Sequence, residues 1–176
     1  QTKNTKSSEQ SPKIGEFEQR LCVVVAGRLE ASEGKAENEA LKETFRLTSD
    51  MAYKSDAIFQ RNDREFFIFL GLLDSYGEDA IRGVRLAHDI IDVVTGMRED
   101  EEVGLDVRLC IFQDMISVHG GFLEDDVIDQ PNLDVKNRGR KLLDLAGKNA
   151  PIVDDNIWRL ARRDYHFIRC HAGTFD

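Results

Sequence analysis

The chain has 176 residues, 41% of them apolar, and a formal net charge of −9. That length and apolar content fit one domain with a sizeable core. The negative balance excludes nonspecific nucleic-acid binding and attachment to anionic membranes, since both would repel the chain at long range; a local basic patch is still compatible with it.

Three cysteines, Cys22, Cys110 and Cys170, are widely spaced and form no CxxC pair, which argues against a zinc site or a disulfide framework. Buried free thiols in a reducing cytosol are the expectation. No apolar run approaches the roughly 20 residues of a membrane span, and the first residues carry no hydrophobic signal region. The reading is a soluble, cytoplasmic chain with no membrane insertion.

Residues 1–13, QTKNTKSSEQSPK, have nothing apolar to bury and are expected to be a disordered linker, with the folded domain over 14–176. Such a beginning fits a piece of a longer protein with further domains upstream, or an expression-tag remnant. Leu21 to Ala26, LCVVVA, reads as a buried central strand closed by Gly27. Glu37 to Lys54 places Leu41, Phe45, Thr48, Met51 and Ala52 at spacings of three and four, the mark of an amphipathic helix.

The stretch Phe59 to Gly71, FQRNDREFFIFLG, reads as the centre of the fold. Strands over Ala57–Arg61 and Glu65–Gly71 fold back through the polar turn Asn62-Asp63-Arg64, and the second is bulky on both faces. Asp63 then sits at the hairpin tip. A sheet face so rich in Phe predicts a symmetric interface that covers it.

Ser75 to Thr95 repeats the helical pattern, with Gly96 placed to stop it. Leu105–Phe112 and Met115–His119 read as a second hairpin across Gln113-Asp114. Asp125 to Asp134 is an acidic loop containing Pro131, and Val135 to Lys148 is a basic helix ending near Gly147. Ala150–Val153 is a short strand, Asp154 caps a helix through Arg163, and Tyr165–Arg169 is a last strand. The order predicts an α+β fold, an antiparallel sheet with helices packed on one face.

Few residues form a chemical constellation. Asp63 is a turn-stabilising residue or a metal ligand. The cations Lys136, Arg138, Arg140, Lys141 and Lys148 form a solvated helix face or a grip for a triphosphate or an acidic partner. Glu124, Asp125, Asp126 and Asp129 lack the ligand spacing of a Ca²⁺ loop. His119-Gly120-Gly121-Phe122 lacks the following acidic pair of a diguanylate cyclase signature. His88, His166 and His171 form no ligand set, and no Walker-type loop or nucleophile–base arrangement is visible.

The order of elements, the strand-turn-strand with Asp63 and its Phe-x-Phe-x-Gly continuation, the pair Arg108 and Ile111, and the Asn-containing helix KNRGRKLLDLAGKNAPIVDD together resemble the catalytic domain of class III adenylate and guanylate cyclases. The resemblance covers residues 20–169 and implies a ferredoxin-like core working as head-to-tail dimers. It also implies two aspartates holding two divalent metals, Mg²⁺ or Mn²⁺, that activate a hydroxyl and hold a triphosphate.

Carried over by position, the first aspartate falls on Gly27, with Arg28 next to it, so that ligand is lost; the second falls on Asp63. The purine-selecting positions fall on Phe59 and Gln130, the ribose-positioning Asn on Asn137, and the phosphate-stabilising Arg on Lys141. Arg140 would substitute only if the helix were rotated by about 100°, and Lys does not replace a bidentate Arg. The implied reading is a catalytically silent cyclase-homology domain without cofactor, a dimerising or regulatory module that pairs with itself or with another cyclase-like domain. The alternatives are an active cyclase making cyclic AMP or cyclic GMP, alone or in a heterodimer, and a nucleotide sensor.

Overall fold

The run Val23-Val24-Val25 favours extended backbone and presents apolar side chains to both faces. In the computed structural model it forms the middle of β1 (Phe17–Ala31), the central strand of the sheet. The structure describes residues 17–100, 102–119 and 132–169. The expected linker, the acidic loop as far as Pro131, Gln130, the Gly120-Gly121-Phe122 segment, Cys170 and His171 lie outside that range.

After β1 come α1 (Lys35–Lys54), β2 (Ile58–Asn62), β3 (Glu65–Leu70), α2 (Asp79–Asp100), β4 (Leu105–His119), α3 (Leu133–Leu145), β5 (Ile152–Val153) and α4 (Asp155–Ala161). The strands lie in the order β2-β3-β1-β4-β5, antiparallel except for the β4–β5 pair. The α+β architecture is the expected one. The carboxylate of Asp154 caps α4 by accepting from the Ile157 amide at 2.9 Å.

Several local expectations are corrected. Gly27 does not close β1 but stays in the ladder, opposite Phe66 on one side and Leu109 on the other. Leu105–Phe112 and Met115–His119 are not a hairpin: Gln113 and Asp114 pair with Val23 and Cys22 inside one continuous β4. Side chains supply what a turn would otherwise have hidden. Asp154 accepts from the Gln113 amide, and Arg138 binds the Gln113 carbonyl and the Asp114 carboxylate.

Gly96 does not stop α2, because apolar contact with the core continues through Met97. Asn62 pairs with Glu65, so the hairpin turn is only Asp63-Arg64, with Asp63 at φ 53. Aspartate is one of the few side chains that adopt that conformation readily. Tyr165–Arg169 forms no strand; Tyr165 and Phe167 pack on the core instead, and the Tyr165 ring stacks on His88 at 6.1 Å.

Two cores result from the alternation along the strands. On one face α1, α2 and α4 cover Val23, Val25, Phe66, Ile68, Leu109 and Ile111. On the other, α3 brings Val135 and Leu143 onto Val24, Ala26, Phe67, Cys110 and Phe112, so the helices are not confined to one side. Gly139 permits that approach, since a Cβ there would lie 2.9 Å from the Phe67 ring. Phe66, Phe67 and Phe69 are all fully buried within the chain, and the expected open Phe-rich face does not exist.

Just before α3, the fully buried Asn132 behaves like one residue of an absent strand: its Oδ1 accepts from the Ser117 amide at 2.8 Å and its Nδ2 donates to the Ser117 carbonyl at 2.9 Å. Asn132→Ala leaves both backbone groups without these bonds, at a cost of about 2–4 kcal/mol. We predict a thermal midpoint lower by roughly 4–16 °C by scanning calorimetry; an unchanged midpoint would show that the amide is dispensable.

Candidate functional site

The end of β1, the β2–β3 turn and one flank of α3 enclose an open cavity of about 500 Å³, lined by Arg28, Glu30, Asn62, Asp63, Arg64, Glu65 and Arg140 among others. The ladder dictates this rim. Arg28 follows Val24 and Ala26 on the α3 face, and Glu65 precedes Phe67 on the same face, so the apolar stripe turns charged where the strands reach solvent.

Glu65 is the hub of the rim. Its Oε1 accepts from Arg28 Nε at 3.1 Å and Nη2 at 2.9 Å, and its Oε2 accepts from Arg140 Nε at 2.8 Å. Arg28 also reaches Asp144 at 2.8 Å, and Arg140 donates to Asn137 Oδ1 at 3.1 Å. Partial burial pushes the Glu65 carboxyl up, but the bonds from Arg140 and Arg28 outweigh it and hold the group below its ordinary value. The bond to Asp144, ahead of the Glu65 contacts, pushes Arg28 up.

Neighbouring charges are matched as well. Arg108 binds Glu30 at 2.6 Å and the Ala146 carbonyl at 2.5 Å, and Lys148 reaches Asp106 at 3.0 Å. Arg64 donates to the Ala31 carbonyl at 3.0 Å.

The residues singled out in the sequence fall in different places. Asp63 lines the cavity from the exposed turn, and its carbonyl accepts from Arg61 Nε at 3.0 Å. Gly27 does not line it. A Cβ on Gly27 would overlap the Phe66 ring, which is held by a T-shaped contact with Phe45 at 6.2 Å and by stacking with Phe59 at 6.0 Å. Phe59 is therefore a core residue, half-buried beside the α1 face. Asn137 is exposed but tied to Arg140, Lys141 is exposed and does not line the cavity, and Gln130 is outside the described residues.

Arg140, not Lys141, is the α3 cation that the fold brings to this site. Periodicity alone does not fix the rotation of α3, which also carries Leu133, Leu142 and Leu145; once the fold sets Val135, Gly139 and Leu143 as the buried stripe, position 140 flanks it, while 141 lies about 100° further round.

No family model and no curated protein matches the sequence. Solved structures do match by shape. The adenylyl cyclase CyaB from P. aeruginosa superposes with a TM-score of 0.68 at 13% identity, over 85% of this chain and 84% of that one. The chain has the class III nucleotidyl cyclase fold. Two structures of the guanylyl cyclase domain of the RhoGC fusion protein from the aquatic fungus Blastocladiella emersonii share it. A monomeric form has a TM-score of 0.66 at 10% identity, over 85% and 90% of the two chains. A dimeric form has a TM-score of 0.64 at 12% identity, over 83% and 86%.

In this cyclase-fold domain the residues present do not fit a two-metal centre. Such a centre needs carboxylates that converge with open coordination positions. Here Glu65 and Glu30 are engaged by arginines, and Asp63 stands on an exposed turn while Gly27 faces a phenyl ring. Among the described residues no group of three His, Cys, Asp or Glu side chains is placed to hold a metal ion. Cys22 and Cys110 are buried, and burial pushes both thiols up to about 12, so neither serves as a nucleophile at neutral pH.

Because folded Glu65 titrates below its unfolded value of about 4.3, its stabilisation is present above that pH and is lost as pH falls through the lower folded value. Glu65→Gln is predicted to lower stability by about 1–2 kcal/mol at pH 7. Urea midpoints of the two proteins should converge as pH falls from 5 toward 3. A gap that stays constant over that window would refute the assignment.

Proposed function

We propose that this cyclase-fold domain is catalytically silent and serves as a dimerisation or regulatory module of a larger signalling protein. One observation carries the reading: the space that an aspartate side chain at position 27 would need is filled by the Phe66 ring, itself packed between Phe45 and Phe59. The arginine clamps on Glu65 support it, because a carboxylate that already accepts from two guanidinium groups has little left to offer a cation. For the pairing half, support comes from the solved RhoGC guanylyl cyclase domain, which is found in both monomeric and dimeric forms.

A second reading has one observation in its favour. Asn137 and Arg140 stand side by side at the cavity edge, bonded at 3.1 Å. In a heterodimer they would serve an active cyclase whose partner supplied the metal ligands.

Purified protein incubated with ATP or GTP and Mn²⁺ is expected to release no cyclic nucleotide. Turnover that disappears in Asp63→Ala would overturn the silent reading, and light scattering showing a monomer at high concentration would remove the pairing role. Gly27→Asp alone is expected to restore no turnover and to destabilise the fold by about 3 kcal/mol or more, from overpacking and an unpaired buried charge. A stable, active single variant would show that Phe66 is no obstacle.

A further inference from the structure

Backbone groups along an antiparallel ladder point alternately to one neighbour and the other, so one bond fixes the direction of all of them. The Leu29 amide donates to the Arg64 carbonyl at 2.9 Å, which turns Phe66, Ile68 and Leu70 toward β1 and leaves Glu65, Phe67 and Phe69 to bond β2. Their partners there are Asn62, Gln60 and Ile58. The amides and carbonyls of Phe59 and Arg61 therefore point out of the sheet, of which β2 is an outermost strand. Among the described residues no group bonds to them.

The opposite edge is treated differently. Along β4, Asn149 exchanges bonds with Val107 at 2.7 and 3.0 Å, Asp154 and Arg138 take up Gln113, and Asn132 takes up Ser117. An edge left without such devices is a template for a further strand.

We propose that β2 pairs antiparallel with β2 of a second copy, about a two-fold axis at Gln60, joining the two five-stranded sheets into one. The inference rests on the pairing half of the proposed function and names its surface. Self-complementarity selects this occupant. With the axis at Gln60, Ile58–Asn62 is matched along its whole length, and the open groups of Phe59 bond those of Arg61 in the other copy. An axis at Arg61 or at Phe59 runs one end past the strand, and at Arg61 it also sets two guanidinium groups face to face.

Charge agrees with the same register, which places residue 64 of one copy opposite residue 56 of the other, on both sides of the axis. Arg64 bonds only the Ala31 carbonyl, Asp56 is exposed, and neither forms an ion pair within its own chain among the described residues. Across the axis each meets the opposite charge that its own chain does not supply.

Residue 60 faces itself across the axis as a non-hydrogen-bonded pair, where Cα atoms stand about 4.5 Å apart and a disulfide closes. In a Cys170→Ser background, with Cys22 and Cys110 buried, Gln60→Cys is expected to give a disulfide-linked dimer under mild oxidation and Asn62→Cys to give none. In sedimentation equilibrium on the full chain, Arg61→Pro removes an outward amide from each copy and no ladder bond, and should weaken the dimer roughly tenfold or more. Arg64→Glu should weaken it too, and adding Asp56→Lys should restore it, a recovery that a folding defect does not show. A parent dimer that keeps its strength in Arg61→Pro and Arg64→Glu, or that cross-links through residue 62 and not 60, would overturn the β2 pairing and leave the dimerisation reading standing. A parent chain that stays monomeric at high concentration would remove both.

Discussion

The antiparallel ladder between β1 and β4 is the constraint on which the rest of the structure depends. It runs without interruption from Phe17 opposite His119 to Ala31 opposite Leu105, and the alternation of side chains along it assigns every neighbouring residue to one of two cores. A slip of one residue would carry Val24 and Ala26 to the helices of the α1 face and expose Val23 and Val25 to α3. Both sets are apolar, so the register is secured by its ends and edges as much as by its centre. Asn132 holds Ser117, Arg138 and Asp154 hold Gln113, and Arg108 reaches from β4 to Glu30 on β1.

The same ladder explains why the cavity beside Glu65 is charged and yet self-satisfied. At the ends of β1 and β3 the buried stripe gives way to Arg28 and Glu65, and α3, seated through Gly139, delivers Arg140 to the same carboxylate. Two guanidinium groups around one carboxylate form a stable structural hub. The neighbouring Gly27 and Phe66 complement each other in the way a cavity and its filling do. A likeness in overall shape to cyclase domains thus coexists with a rim whose charges are turned toward one another.

Much of the fold was legible because its signals are local. The valine run, the spacing of Leu41 and Phe45, the cap at Asp154 and the phenylalanine hairpin each act within a few residues, where propensity and periodicity are strong. The misreadings share an opposite cause. Gln113-Asp114 has turn composition but lies mid-strand because distant Arg138 and Asp154 satisfy it, Gly96 lies mid-helix because Met97 still meets the core, and Tyr165–Arg169 has strand composition but buries its rings without a ladder. Each was decided by a partner far away in the chain.

By itself, the sequence determined the α+β class, the central strand, the long helices and the phenylalanine hairpin, since these follow from residue identity and short-range pattern. Only the tertiary structure decided that Phe66 fills the space next to Gly27, that Arg140 and not Lys141 reaches the cavity, and that Glu65 is clamped between β1 and α3. The physical reason is that helix rotation and side-chain pairing depend on which face each element presents to the sheet. That choice is made by packing across many tens of residues, beyond the reach of any local signal.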